Sequence, residues 1–197
     1  KVLAGVLQHV GAELSARQMI AAEQDTWGSV AQLAAEYETI ASAAQQPRWE
    51  ALLRATQVPE AEADAAIGST AFGALGAELR RAEAGGYDAD RLLRALVTSR
   101  PLDDADDLAA VLHERVIRAL TRTNGAGRVR QPATPIAGLI TPALGTMDED
   151  MRTALRERAA LIEQRADALV AEAVGASAAW VVELGTEPVD PQLAALW

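Results

Sequence analysis

Three observations predict an all-α fold. Alanine supplies 44 of the 197 residues, and it is the strongest intrinsic helix former. The β-branched and aromatic residues are scattered rather than gathered into strand-length runs. Apolar positions recur at alternating spacings of three and four, between start and stop signals set at helix-length intervals. The expected architecture is an irregular helical bundle, two long helices with several short ones packed across them. Along the chain it divides into residues 1–122, a Pro/Gly-containing connection at 123–146, and residues 147–197, all in one compact unit.

Taken in order, Val2, Leu3, Val6, Leu7 and Val10 make a short helix that Gly11 separates from a long one. The long helix runs from Ser15, its N-cap, to Gln46. Trp27, Val30, Ala34, Tyr37, Ala41 and Ala44 form its stripe, which Leu33 and Ile40 widen. Pro47 is expected to start a new element with Trp49, Leu52 and Leu53 inward, and Pro59 to start Glu60–Ile67. Ser69 or Thr70 caps a helix through Phe72, Leu75 and Leu79 that Gly85-Gly86 end. Asp88 caps Ala89–Thr98, and Arg100-Pro101 stop it. Asp103 or Asp104 then opens a helix whose apolar face is Leu108, Val111, Leu112, Val116 and Leu120.

Thr121 to Gly145 is a long connection, with Ile136, Leu139 and Ile140 expected to hold it against a groove. Thr146-Met-Asp-Glu149 has the pattern of a capping box, opening the second long helix to Val174. Met151, Leu155, Leu161, Ile162, Leu169 and Val170 are its apolar positions. A short helix around Trp180–Leu184 ends at Gly185, and Asp190-Pro191 start one more before Trp197. That last helix is expected to be cut off, so the chain looks like a piece of something longer. No repeat of fixed period appears, which discounts a helical solenoid.

Composition removes several classes of function. Without cysteine there is no disulfide framework, thiolate metal site or cysteine nucleophile. His9 and His113 are too far apart for a zinc-binding helix motif. The only lysine is Lys1, so no phosphate loop of the Walker type exists. Gly68, Gly73 and Gly76 miss the dinucleotide spacing and instead mark close helix approach or a local break. The charge-free run Gln131–Met147 is short and broken by Pro132, Pro135 and Pro142, so no membrane span is expected. A net charge of −10 argues against broad adhesion to nucleic acid or acidic membranes. A cytoplasmic location is expected.

Most charged groups have a plain structural explanation. Asp103, Asp104, Asp106 and Asp107 suit an N-cap and first-turn acids facing a helix dipole. Glu13, Glu23, Asp25, Glu36 and Glu38 are expected on a solvated face. His113 is expected to pack or hydrogen-bond locally, since no nucleophile pairs with it. The tryptophans, Trp27, Trp49, Trp180 and Trp197, are expected to fill gaps between helices, and an exposed one would mark a partner surface. One stretch departs from the overall balance. Between Glu114 and Asp148 no acidic residue occurs, while Arg115, Arg118, Arg122, Arg128 and Arg130 all fall inside. These five are the candidate nucleic-acid contacts, because the guanidinium fork suits phosphate. The competing explanation is arginines at a helix C-terminus complementing its dipole. No catalytic, cofactor-binding or metal-binding residue is expected.

The wording of the chain also carries a likeness. Gly11-Ala-Glu-Leu-Ser-Ala-Arg17, Ala22-Glu-Gln-Asp-Thr-Trp-Gly28 and Gln32-Leu-Ala-Ala-Glu-Tyr-Glu-Thr-Ile-Ala41 resemble the region after the helicase part of actinobacterial TrwC/TraI-type conjugative relaxases, the MobF class. Asp103 to His113, Ile136 to Ile140, Met151 to Leu155 and Arg165 to Leu169 resemble the later helical part of the same family. The resemblance implies a large protein that nicks DNA through a tyrosine and unwinds it with ATP. ATP and a divalent metal would act elsewhere in that protein, and no catalytic residue carries over to this segment. Its expected role is a non-catalytic scaffold or docking module for plasmid transfer. The expected partners are the rest of the relaxase-helicase chain and the conjugative secretion machinery. The alternative is an accessory surface for single-stranded DNA centred on Arg115–Arg130.

Overall fold

The computed structural model describes residues 28–102, 105–122 and 131–197. Among them are eight helices: α1 (Val30–Arg54), α2 (Glu60–Gly68), α3 (Phe72–Ala84), α4 (Ala89–Thr98), α5 (Leu108–Arg122), α6 (Glu149–Gly175), α7 (Ala179–Leu184) and α8 (Pro191–Leu196). The described residues contain no strand. One isolated bridge joins Ile136 to Ile140. The all-α expectation holds, and two long helices dominate it. The expected helix at residues 2–10, Ser15 to Trp27 with its cap, and His9 lie outside the described residues, as do Asp103, Asp104 and 123–130.

Helix α1 contributes to two hydrophobic clusters. Its C-terminal half places Trp49, Leu52 and Leu53 against Leu75 and Leu79 of α3, Leu93 of α4, and Leu112 and Val116 of α5. Its N-terminal half places Leu33, Tyr37, Ala41 and Ala44 against Ile136, Ile140, and Leu155 and Ile162 of α6. Pro47 falls between them, and the expected break there does not occur: the helix runs through it. A proline in a helix interior costs ~3 kcal/mol. Anchoring on both sides offsets it, because each cluster buries several large side chains worth about 1.5–3 kcal/mol apiece.

Other boundaries follow their signals, with three corrections. Pro59 precedes α2 as its N-cap, Asp88 caps α4 by accepting from the Arg91 N–H, and Asp190 caps α8. Gly86 (φ 80°) and Gly185 (φ 81°) take the left-handed turns that end α3 and α7. The capping box at Thr146 is replaced by Asp148, whose carboxylate accepts from the N–H groups of Asp150 and Met151. Met147 stays outside the helix and packs on the second cluster. Helix α5 starts after the acidic run, with Asp107 Oδ1 accepting from the Ala110 N–H at 3.1 Å, so no acid lies in its first turn. Neither Ser69 nor Thr70 is the N-cap of α3. That position is Ala71, whose N–H donates to Ser69 Oγ.

The approach to α6 is held by α1. Ile136 and Ile140 are buried as expected, but Leu139 between them is 80% exposed, at the tip of a tight turn. The Ala143 N–H donates to Tyr37 Oη at 2.8 Å, and the buried Gln45 donates from Nε2 to the Leu144 carbonyl at 2.9 Å. Glu36, further up α1, meets Arg158 at 3.0 Å. The two long helices therefore run antiparallel.

Candidate functional site

Two of the five candidate arginines can be placed by side chain: Arg115 and Arg118, both on α5. The side chain of Arg122 lies outside the described residues, as do Arg128 and Arg130. Arg115 and Arg118 line a groove of about 630 Å³ between α4 and α5, together with Leu96, Ser99, Arg100 and Glu114. Arg100 sits outside the acid-free stretch, so the sequence pattern did not single it out. The Arg100-Pro101 turn brings it to the groove.

Neither placed arginine is idle. Arg115 donates from Nη1 to the carbonyls of Leu96 (2.9 Å) and Arg100 (3.2 Å), and from Nη2 to that of Pro101 (3.1 Å). It thus satisfies carbonyls left open where α4 ends. Arg118 bonds through Nε to Glu114 Oε1 at 2.7 Å, one turn away on the exposed face. The dipole explanation weighed from the sequence finds a more specific form: Arg115 serves the C-terminus of α4, not that of its own helix.

The remaining candidates resolve into supports between helices. Glu36 and Glu38 do not make a solvated face, since each reaches an arginine of another helix: Arg158 for Glu36, and the buried Arg80 for Glu38. Asp107 accepts from Ser69 Oγ, and this bond, followed by that from the Ala110 N–H, holds its carboxyl below the ordinary value. Arg48 is bound by Glu83 through two hydrogen bonds, which raise its affinity for the proton, and it stacks 4.5 Å from the centre of the Trp49 ring. His113 Nε2 on α5 lies 3.9 Å from Glu78 Oε1 on α3. Burial raises the phenol of Tyr37 above its ordinary value, against the opposing bond from Ala143. Ser69 and Asp107 line one cavity with Glu62 and Asp106, and Arg80 lines another with Ser42 and Gln46. Among the described residues no cluster could hold a metal ion, and no helix is long and apolar enough to cross a membrane. Lys1 is the only lysine, so the sequence holds no Walker lysine for ATP.

A different surface stands out. Helix α6 has 27 residues and buries only Leu155 and Ile162. Leu169 and Val170, two of the apolar positions read from the sequence, are 41% and 53% exposed. Val174 and, on α7, Trp180, Val182 and Leu184 are exposed too. From the Glu36–Arg158 pair, the antiparallel register puts Val30 level with roughly residue 164 at 1.5 Å per residue. The rest of α6 extends past the described start of its partner. Of the four tryptophans, Trp49 is buried as expected and Trp180 is exposed.

No family model, curated protein or solved structure matches the chain.

Proposed function

We propose that this chain is a non-catalytic helical docking module, a C-terminal part of a conjugative relaxase-helicase that joins the transfer machinery or a neighbouring domain. The observation that carries the docking reading is the exposed apolar surface of α6 and α7. Large apolar side chains left in water on consecutive helices mark an interaction surface. The relaxase assignment rests on the sequence resemblance alone. Its test is the polypeptide sequence ahead of Lys1: a helicase motor there supports the assignment, and an unrelated sequence overturns it while leaving the docking role. That role is tested by cross-linking from Val170→Cys in the full-length protein. Cross-links to another domain or transfer protein support docking, and a cysteine that reacts with nothing but solvent overturns it.

A second reading has one observation in its favour, the convergence of Arg100, Arg115 and Arg118 on the α4–α5 groove. On this reading the groove contacts single-stranded DNA. Fluorescence anisotropy of a labelled oligonucleotide across a salt series separates the two. Affinity falling steeply with salt would assign the function to the groove, because each neutralised phosphate releases counterions. A flat response would remove it.

A further inference from the structure

We infer that the cavity between α1 and α3 binds a small carboxylate, a short-chain monocarboxylic acid in its ionised form. The site is separate from the α6–α7 surface and stands independently of the docking role. Two helical rows line it: Ser42, Gln46 and Trp49 on α1, at spacings of four and three, and Gly73, Gly76 and Arg80 on α3, at three and four. Glycine at 73 and 76 leaves the α3 row without side chains ahead of Arg80. A Cβ on Gly73 would meet nothing within 4 Å, so open space lies where a side chain would stand. At Gly76 the Trp49 ring comes to 3.2 Å of that position and forms a wall. Ile67 and Phe72 add apolar surface, and the volume is about 150 Å³. A cavity of that size admits a molecule of about benzene's dimensions.

Charge and polarity select the ligand. Arg80 is 5% exposed, and it is the only charged residue among the described ones that line the cavity. Its guanidinium carries five N–H donors. The half-exposed Glu38 engages Nη2, while Nε is buried without a hydrogen-bond partner. A buried donor without an acceptor is unfavourable, so the guanidinium has capacity for a second acceptor. A cation with no acid beside it in the lining favours an anion, and the planar guanidinium matches a carboxylate. Trp49, Ile67 and Phe72 favour an apolar tail behind that charge, and the volume keeps the tail short. Ser42 and Gln46 are exposed, which puts the opening on their side.

The test titrates the whole chain with butyrate, followed by calorimetry and by thermal unfolding, with butyramide as the neutral isostere and inorganic phosphate as a second anion. The expected result is saturable one-to-one binding of butyrate that raises the unfolding midpoint. Its affinity should exceed that of butyramide by about tenfold or more. Arg80→Met keeps the apolar stem and should remove the preference for butyrate over butyramide. Gly73→Leu tests the site without touching the buried charge: it fills the open space and should weaken binding about tenfold or more. Circular dichroism checks that helix content is kept. Failure of butyrate to bind overturns the inference, whether the cavity is closed to it or filled by another part of the chain. So does equal binding of butyramide or of phosphate, a preference that survives Arg80→Met, or an affinity that Gly73→Leu leaves unchanged. All of these outcomes leave docking at α6 and α7 standing.

Discussion

Arg115 shows how one side chain can close a turn that the backbone leaves open. Its guanidinium bonds three carbonyls between Leu96 and Pro101, and the planar fork reaches them from one position on α5. Arg115→Met keeps the apolar stem and removes the donors. It should lower stability by about 1.5–3 kcal/mol, the range for hydrogen bonds to a charged group, as measured by urea unfolding. Asp107 makes a comparable join between α5 and the turn before α3. Its folded-state proton affinity is lowered, chiefly by the Ser69 hydroxyl. The stabilisation is therefore present above the ordinary carboxyl value and is lost as pH falls through the lower folded one. Asp107→Ala should cost about 1 kcal/mol at neutral pH. The gap to the parent chain should narrow as pH falls below the ordinary carboxyl value of about 4 and close through the lower folded one. A gap constant down to pH 2 would show that the carboxylate charge is not the stabilising feature.

At the scale of elements, Pro47 is the most informative position. It is exposed, within a helix, and sits between Ala44 of one cluster and Trp49 of the other. Pro47→Ala restores the backbone donor and removes the ring clash, so the variant should be more stable by about 1–3 kcal/mol. Thermal unfolding measures it. An unchanged or lower midpoint would mean that the proline is accommodated without strain. Of the three glycines, Gly68 is the last residue of α2, a local break, and Gly76 marks a close approach. A Cβ on Gly76 would lie 3.2 Å from Trp49 Cδ1, whereas those on Gly68 and Gly73 would meet nothing within 4 Å. Close approach of α3 to α1 is thus concentrated at Gly76, where the tryptophan ring takes the place of a side chain.

For the whole molecule, burial is unevenly distributed. The first cluster gathers parts of α1 to α5, while α6 is joined mainly along α1 and stands exposed beyond Ile162. Local opening follows the number of buried contacts. Amide exchange in α6 should therefore be faster over residues 166–175 than over Leu155–Ile162, and slowest in α3 and α5. Binding of a partner on the α6 face should slow the 166–175 amides selectively. Uniform exchange along α6 would contradict the greater exposure of its side chains beyond Ile162.

Much of this arrangement was legible in the sequence, because its signals are local. Capping by Asp88 and Asp190, the left-handed glycines Gly86 and Gly185, and the seven-residue rows on α1 and α6 depend only on neighbours within a turn or two. The misplaced features are those for which local chemistry allows two answers. Thr146 and Asp148 are both good N-caps, and packing of Met147 on the second cluster selected Asp148. Pro47 reads as a helix start until two cores hold its flanks. Arg115 falls in an acid-free run that suits phosphate, yet the turn after α4 engages it first. Leu169 and Val170 have the spacing of a buried face, and whether such a face is covered depends on which element lies opposite. By itself the sequence determined an all-helical chain with its main apolar rows. Only the tertiary structure decided which rows were covered and which charges were engaged, because burial and long-range pairing depend on what packs across the helix rather than along it.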